Sequence, residues 1–253
     1  MTWMRVNGRV VGADEPAIPA NDPGLTLGWT AFESMRVRHG QPVDLDAHME
    51  RLKASCEALD IVLPDAAVLC EDLTHTIRES GLTDLRVRLT VTAGGNRIVS
   101  AEPFDVARWG APVRAVRGLH GHDPWLSGAA KHGSRAGWAV ALRRSGVDEI
   151  LRVDGHGRFT EGMTAAIVAV VDGALWTAAW DGGVLPSTTV ASLERHATQL
   201  GVPVHRQGPS ARGPWDTLYI ASVTRGLARV AELDGEQLTG ADPIGAALHT
   251  SLA

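Results

Sequence analysis

Lys131 and Glu161 are the residues of this sequence best suited to chemistry. Lys131 lies in the segment Gly128-Ala-Ala-Lys-His-Gly-Ser-Arg135, between a loop that contains Gly and Pro and an amphipathic run that begins at Ala136. A lysine amine forms an imine with a carbonyl group only when it is neutral, and burial beside other cations lowers an amine pKa. Lys131 is therefore the candidate nucleophile. We expect it at the start of a helix, facing back toward the loop.

Glu161 follows a pattern typical of a β-hairpin. Residues 148–161 predict two strands joined by a tight turn at Asp154-Gly-His-Gly157, so that the second strand delivers one carboxylate at its end. Taken singly, Glu161 is an ordinary strand-end charge and Lys131 an ordinary solvated lysine. Only the two residues together, in this order along the chain, indicate a catalytic site.

Length and composition restrict the class of protein. The chain has 253 residues, of which 44% are hydrophobic and 21% charged, as in soluble proteins of one large or two modest domains. No apolar run approaches the ~20 residues that cross a bilayer, and the first residues lack the pattern of a secretory signal. The net charge of −5 includes no basic stripe, which argues against nucleic acid as a partner. We expect a cytoplasmic protein without a membrane partner.

The two cysteines, Cys56 and Cys70, both fall within predicted helices. Their spacing is neither that of a metal site nor that of a redox pair. We therefore expect both thiols to be reduced and buried, and we predict no metal site.

The first part of the chain predicts hairpins followed by a helix. Asn7-Gly8 separates two apolar runs, which is the strongest short-range indication of a β-hairpin. Residues 32–38 alternate as a half-buried strand does, and a turn at His39-Gly40 leads to a short strand over residues 43–45. Asp46 is typical of an N-cap, so a helix is expected from there.

Two side chains on that helix can meet a single anion. His48 and Arg51 are three residues apart and therefore share a helix face. The alternative is that both are solvated surface residues, and the spacing alone leaves this choice open.

The middle of the chain predicts a domain boundary. A second helix over residues 66–79 precedes a strictly alternating strand over residues 85–93. Residues 103–112 then show no sustained period and are flanked by prolines, which places the boundary there and gives domains 1–107 and 108–253.

Beyond Glu161, residues 165–178 predict an apolar hairpin that turns at Asp172-Gly173. A hydroxyl-rich segment over residues 187–189 precedes a helix predicted over residues 190–200 and a strand over 202–204. Free N–H groups and hydroxyls at a helix N-terminus can bind phosphate, and the same residues serve equally well as helix caps. A strand-turn-strand pattern follows over residues 216–231, and a last surface helix is expected within residues 233–253.

The order Lys131-His-x-x-Arg135, Asp148-Glu-Ile-Leu151, Thr160-Glu-Gly162 resembles the fold-type IV pyridoxal-phosphate (PLP) enzymes. That family contains branched-chain and D-amino-acid aminotransferases and 4-amino-4-deoxychorismate lyases. The resemblance implies an α/β (α+β) fold of two domains with PLP in the cleft between them. It also implies a homodimer that acts on a small amine or amino-acid-like substrate.

The resemblance further implies a role for each matching residue. Lys131 would hold the PLP aldehyde as an imine and move protons at the substrate carbon. Glu161 would keep the ring nitrogen protonated. Arg51, in a His-x-x-Arg-Leu segment, would bind the phosphate in a two-pronged contact. Further cofactor contacts are implied for Leu185, Thr188 through its backbone amide, Thr189, Ser222, Val223 and Thr224.

The chain also departs from the family pattern. Ala93 stands where many relatives have an arginine that helps to recognise a substrate carboxylate, and Arg97 is the expected substitute. Ser187, Thr188 and Val190 differ from the family's phosphate-binding turn. Trp29, Arg97, His132 and Arg135 are the candidate substrate contacts.

The reaction is predicted from the surroundings of the lysine. Transaminases of the family often have a tyrosine a few residues after it, whereas the single tyrosine here is Tyr219. The segment from Pro124 to Arg135 is similar to that of aminodeoxychorismate lyases, with one extra residue before the lysine. We therefore expect a lyase that releases pyruvate and forms 4-aminobenzoate, as in folate biosynthesis. The alternatives are an aminotransferase for D-amino acids, branched-chain amino acids or amines, and an inactive PLP-binding relative.

Overall fold

The computed structural model describes residues 2–12, 14–121, 125–240 and 242–252. The chain forms two compact units. Unit 1 comprises Met1–Asp105 and Pro124–Arg135, and unit 2 comprises Val106–Asp123 and Ala136–Ala253. The segment that carries Lys131 thus belongs to unit 1, whereas a single boundary near residue 107 assigns it to the second domain. Residues 122–124, in the loop expected before Lys131, lie outside the described residues.

Unit 1 is built on an antiparallel sheet. Its strands are β1 (Trp3–Val6), β2 (Arg9–Val11), β3 (Thr30–Arg38), β4 (Gln41–Pro42), β5 (Leu85–Thr92) and β6 (Arg97–Pro103). Over the described part of the chain they form a six-stranded sheet in the order β2-β1-β6-β5-β3-β4. Its helices are α1 (Pro23–Thr26), α2 (Leu45–Ala58) and α3 (Ala66–Ser80).

The alternation of β3 separates the two faces of this sheet. Ala31, Met35 and Val37 are fully buried and pack in one cluster with Leu52 of α2 and Leu73 of α3. Burying a side chain the size of leucine contributes roughly 2 kcal/mol. The cluster therefore holds α2 and α3 on one face of the sheet. The even-numbered residues of β3 lie on the other face.

The turns predicted at Asn7-Gly8 and at Asp172-Gly173 are confirmed. Asn7 and Gly8 have φ angles of 49° and 85°, and Asp172 and Gly173 have 48° and 74°. Two successive positive φ angles are what a two-residue turn between right-twisted strands requires, and Asn-Gly and Asp-Gly adopt them at low cost. In each case the flanking strands pair directly across the turn.

Two expectations near α2 are wrong. β4 ends at Pro42, so no strand runs over residues 43–45. The capping residue is Asp44, whose φ of 52° turns the chain out of the strand and into the helix at Leu45. Asp46 lies in the first turn instead, where a negative charge meets the positive end of the helix dipole.

The two cysteines differ in exposure. Cys56 is fully buried, and burial raises the pKa of its thiol to about 11, with the charge of Glu57 adding to the effect. Cys70 is only partly buried, so the expectation of burial is wrong for that residue. Both thiols are free.

Unit 2 is mostly β-structure. Its strands are β7 (Val113–Leu119), β8 (Glu149–Val153), β9 (Phe159–Gly162), β10 (Ala166–Val171), β11 (Ala174–Thr177), β12 (Val204–Arg206), β13 (Thr217–Ser222), β14 (Gly226–Leu233) and β15 (Glu236–Gln237). Besides a short 3₁₀ turn at Val106–Arg108, its helices are α4 (Ala136–Ser145), α5 (Thr188–Gln199) and α6 (Pro243–Ser251).

The sheet of unit 2 closes on itself. Its described strands follow the order β12-β11-β10-β13-β14-β7-β8-β9, β15 pairs with β14, and β9 also pairs with β10. Alternate residues of β10 serve the two sides. Ile167 packs inside with Phe159, whereas Val168 packs outside with Val190 and Leu193 of α5.

Three boundaries in unit 2 differ from expectation. α5 begins at Thr188 rather than residue 190, because Ser187 caps it. β12 starts at Val204 rather than residue 202. The last helix is confined to Pro243–Ser251, since β14 continues to Leu233. No helix within the described residues has the length and apolar character needed to cross a bilayer.

Candidate active site

Lys131 lies in an extended segment of unit 1 that pairs with β3. Its carbonyl accepts a hydrogen bond from the Phe32 N–H at 3.0 Å, and the next residue, His132, forms a β-bridge with the same strand. The Lys131 N–H donates a hydrogen bond to Ser55 Oγ on α2 at 3.0 Å. The expectation that Lys131 begins a helix is wrong, because these contacts hold its backbone extended and α4 starts only at Ala136.

Three cationic side chains meet at the Phe32 ring. The guanidinium carbon of Arg88 lies 3.6 Å from the ring centroid, Lys131 Nζ lies 5.0 Å from it, and the guanidinium carbon of Arg135 lies 4.9 Å from it. All three distances are those of cation–π contacts. Burial, with the charge of Arg86 adding to it, lowers the pKa of Arg88. So much positive charge in one place favours an anion beside it.

Sequence reasoning missed Arg88. The alternation over residues 85–92 shows that Arg86 and Arg88 share a strand face. It does not show which of them reaches Phe32. That depends on the register between β3 and β5, in which Phe32 pairs with Thr90 and Ser34 with Arg88.

Glu33 forms a buried cluster with two residues of α2. Its side chain is 0% exposed. It accepts hydrogen bonds from Arg51 Nε and Nη2, each at 2.7 Å, and its Oε2 lies 2.7 Å from His48 Nδ1. Burial acts to raise the pKa of Glu33, but the hydrogen bonds from Arg51 and His48 and the charges of Arg51 and Lys131 lower it to about 2. Glu33 is therefore a stable negative charge in the core.

This cluster decides between the two interpretations of the first long helix. His48 is 2% and Arg51 9% exposed, so the solvated-surface alternative is wrong. Both side chains converge on an anion, and that anion is Glu33. A single glutamate in a strand does not reveal its partners, and sequence reasoning therefore missed it. The contact of Arg51 with a phosphate stays a prediction.

In unit 2, Glu161 lies near the end of β9, as predicted. Its Oε1 forms an ion pair with Arg152 Nη2 from β8. Its Oε2 accepts a hydrogen bond from the Leu185 N–H at 3.3 Å. One cation and one backbone amide thus orient the carboxylate.

Strand pairing relates Glu161 to the turn after β13. Ala166 pairs with Glu161 on one side and with Ala221 on the other. Because neighbouring strands lie about 4.8 Å apart, Glu161 and Ala221 are separated by roughly 10 Å. Ser222 follows directly, and its Oγ lies 3.4 Å from Thr224 Oγ1. The turn of Ser222, Val223 and Thr224 therefore carries two neighbouring hydroxyls and lies two strands away from Glu161.

The N-terminus of α5 lies beside the same carboxylate through Leu185. Ser187 Oγ accepts the Val190 N–H at 3.2 Å, so the capping alternative is correct for Ser187. Thr188 and Thr189 occupy the first turn. First-turn N–H groups and the positive end of the helix dipole favour an anion such as phosphate.

The remaining predicted substrate residues lie in unit 1 and are not all together. Trp29 and His132 line a cavity of about 330 Å³ that Trp125 also lines. Arg135 lies at the Phe32 ring, as described above. Arg97 is elsewhere, since its Nε forms an ion pair with Asp72 of α3.

Comparison with known proteins identifies the family to which this chain belongs. The profile of the family described as Amino-transferase class IV matches residues 30–233, which is most of the chain. The chain belongs to the class IV aminotransferase family.

Relatives cover the chain almost completely at low identity. It is 24% identical to the D-alanine aminotransferase of Listeria monocytogenes, over 96% of this chain and 92% of the relative. It is 25% identical to the branched-chain-amino-acid aminotransferase of Salmonella typhimurium, over 92% and 85% respectively.

Solved structures show the same fold. A fold IV transaminase of Curtobacterium pusillum superposes with a TM-score of 0.89 at 24% identity, covering 100% of this chain and 99% of the other. A PLP-bound hypothetical aminotransferase of Mycobacterium tuberculosis gives 0.90 at 22%, covering 100% and 97%. The predicted membership of the fold-type IV PLP enzymes and the mixed α/β fold are confirmed.

A second buried carboxylate, Glu149, lies at the turn that follows Glu161. Glu149 accepts hydrogen bonds from the N–H groups of Met163 at 2.9 Å and Thr164 at 3.2 Å, and from the Thr164 hydroxyl. Burial raises the pKa of Glu149, although these bonds act to lower it. It shapes the turn that follows Glu161. The sequence placed Glu149 in the segment Asp148-Glu-Ile-Leu151 but gave it no role.

The low pKa of Glu33 predicts a specific sensitivity to acid. Because the folded-state pKa lies below the ordinary 4.5, the contribution of Glu33 to stability is complete above that pH and is lost as the pH falls toward 2. A difference between 4.5 and about 2 corresponds to roughly 3 kcal/mol of unfolding free energy. Denaturant unfolding from pH 6 to pH 2 should show this loss in the wild type and not in Glu33→Gln.

A surface variant controls for the removal of charge alone. Glu57 is 68% exposed at its side chain, and Glu57→Gln should keep the wild-type profile. If the profiles of Glu33→Gln and the wild type run parallel, another group is responsible for the acid sensitivity.

Proposed function

We propose that this chain is a PLP-dependent transaminase that acts at the amine-bearing carbon of a carboxylate substrate. The observation that carries the PLP-dependent chemistry is the position of Lys131. Its amine lies over Phe32, among arginines and close enough to the buried Glu33 to influence its charge. Membership of the class IV aminotransferase family supports PLP as the cofactor. The relatives named as D-alanine and branched-chain-amino-acid aminotransferases favour the transaminase over the lyase.

The sequence offers few amines for a covalent bond to PLP. Its only lysines are Lys53 and Lys131. The side chain of Lys53 is 66% exposed, and its Nζ lies 3.9 Å from Glu57 Oε1 on the same helix. Lys53 is therefore an ordinary surface lysine. Lys131 has Arg88 and Arg135 as neighbours, which favour a neutral, nucleophilic amine, while the charge of Glu33 acts in the opposite direction.

The remaining residues provide donors that match the polar parts of PLP. The aldehyde requires an amine, the ring nitrogen requires a carboxylate, and the phosphate requires cations, hydroxyls and free N–H groups. We assign Lys131 to the aldehyde, Glu161 to the ring nitrogen and Leu185 to the face of the ring. The phosphate is assigned to Arg51, Thr188, Thr189, Ser222, Val223 and Thr224.

Each residue then has a defined task. When bound, PLP would act as an electron sink for the substrate carbon that bears the amine. Lys131 Nζ would remove the proton from that carbon as a general base. Glu161, held by Arg152 and the Leu185 N–H, keeps a negative charge at the ring nitrogen. Arg51, whose orientation Glu33 fixes, supplies positive charge to the phosphate.

Arg88 is the residue we assign to the substrate carboxylate. It lies at the same Phe32 ring as Lys131, and a charge-assisted hydrogen bond contributes about 1.5–3 kcal/mol. We therefore expect Arg88→Gln to raise KM for carboxylate substrates by about 10- to 100-fold while the cofactor stays bound. Steady-state kinetics with an amino acid and with the corresponding amine measure this effect.

Arg86→Gln is the matched control for Arg88→Gln. Arg86 lies on the same face of β5, but it pairs with Glu102 at 2.7 Å. Its removal should leave KM unchanged. An equal rise of KM for the amino acid and the amine in Arg88→Gln would show that Arg88 does not recognise the carboxylate.

The reaction is tested by two incubations of the PLP-loaded protein. One contains D-amino or branched-chain amino acids with 2-oxoglutarate, and the other contains 4-amino-4-deoxychorismate. Formation of glutamate supports the transaminase. Formation of 4-aminobenzoate and pyruvate without glutamate would replace it with the lyase, and no product in either would leave only a PLP-binding relative.

Two observations make the lyase the second candidate. Tyr219, the single tyrosine of the chain, donates a hydrogen bond to Asp242 in unit 2 at 2.6 Å and has a pKa raised by burial and by Asp242. It is therefore not the tyrosine that transaminases of the family often have just after the lysine. The similarity of residues 124–135 to aminodeoxychorismate lyases supports the same candidate.

Assembly and location complete the proposal. We expect a homodimer in the cytoplasm, and the family resemblance is the support for both. Size-exclusion chromatography with light scattering measures the assembly.

A further inference from the structure

Arg152 owes its position opposite Glu161 to an irregularity in strand pairing. Leu151 pairs with Gly162 and Val153 with Phe159, and the register shifts between these pairs. One residue of β8, Arg152, is thus opposed by two residues of β9. Such bulges redirect side chains and are frequent beside active sites.

The surroundings of Arg152 combine an aromatic ring with an unsatisfied donor. Its side chain is 8% exposed, and its guanidinium carbon lies 5.0 Å from the centroid of the Trp138 ring on α4. Among the described residues its buried Nε has no hydrogen-bond partner. An unsatisfied buried donor costs free energy. The fold therefore keeps a cation at the Glu161 carboxylate without satisfying all of its donors.

We propose that Arg152 is a positioning residue that keeps Glu161 ionised and offsets part of the negative charge that this carboxylate presents to the ring nitrogen of PLP. This inference rests on the proposed function, which assigns Glu161 to that nitrogen. A lone carboxylate strongly favours the protonated nitrogen, whereas a carboxylate already paired with a guanidinium favours it less. Arg152 thus sets how strongly the bound cofactor withdraws electrons.

Other groups that titrate near this pair are few in the described part of the chain. His120, at the end of β7, has its Nδ1 3.0 Å from Thr160 Oγ1. Glu149 of β8 is directed to the turn at residues 163–164. Arg152 contacts Glu161 directly, through its Nη2.

The test is the ¹⁵N NMR shift of PLP labelled at the ring nitrogen and bound to the protein at a fixed, mildly alkaline pH. Arg152→Gln should move the resonance toward the protonated position, with about a tenfold rise in the ratio of protonated to unprotonated nitrogen. Arg152→Lys keeps the charge and should stay close to the wild type. Arg206→Gln is the matched control, because Arg206 pairs with Glu194 and lies 3.8 Å from the Trp180 ring centroid.

The variant Glu161→Gln tests the assignment of Glu161 to the ring nitrogen separately from the role of Arg152. It should move the resonance toward the unprotonated position. If it does and Arg152→Gln does not shift the signal, the role of Arg152 is overturned while the proposed function stands. If Glu161→Gln has no effect, or if no bound signal appears in the wild type, the assignment of Glu161 fails and this inference fails with it. Should Arg152→Gln not fold, Arg152→Met at the same pH replaces it.

Discussion

The Lys131→Ala variant is expected to lose turnover by at least about 10³-fold and to lose covalent attachment of the cofactor completely. The expected loss is large because one amine both holds the cofactor and moves the proton. The variant should still fold, since the hydrogen bonds of Lys131 to Phe32 and to Ser55 use main-chain atoms that alanine keeps. Borohydride reduction of the loaded protein, followed by peptide mass spectrometry, measures the attachment.

The second lysine makes this test decisive. Lys53→Ala should keep both turnover and attachment, because Lys53 lies exposed on α2. With these two as the only lysines, the reduced cofactor must be found on the peptide that contains Lys131. Attachment at Lys53 or at the N-terminal amine would refute the assignment of the nucleophile.

The sequence predicted those parts of the fold that local chemistry determines. The turns at Asn7-Gly8 and Asp172-Gly173 follow from residues that tolerate positive φ. The start of α2 was misplaced because Asp44 and Asp46 are equally good local caps. The extended conformation of Lys131 depends on a strand and a helix that are distant in sequence, and no local pattern contains that information.

The candidate site likewise contains residues that the sequence indicated and residues that it did not. Lys131 and Glu161 were found because their order along the chain resembles a known family. Glu33, Arg88 and Arg152 were missed, since each is one charged residue in an alternating strand. What distinguishes each of these three residues is the side chain that sheet register or helix packing brings into contact with it.

Arg51→Met is expected to lower the free energy of unfolding by roughly 3–5 kcal/mol, because it leaves the buried Glu33 carboxylate with His48 as its main partner. It should also weaken PLP binding, since we assign Arg51 to the phosphate. The single variant cannot separate these effects, because a destabilised site binds less well for either reason. Denaturant unfolding without cofactor and fluorescence titration with PLP measure the two quantities separately.

The double variant Arg51→Met, Glu33→Leu separates them. Removing both charges leaves no uncompensated carboxylate, and replacing a buried ion pair by apolar side chains is often neutral for stability. The free energy of unfolding should therefore return close to the wild-type value. PLP affinity should stay about 10- to 100-fold lower, because the phosphate still lacks a charged donor. If affinity returns together with stability, Arg51 acts only through its pairing with Glu33, and the phosphate must be bound by the helix N-terminus and hydroxyls of unit 2.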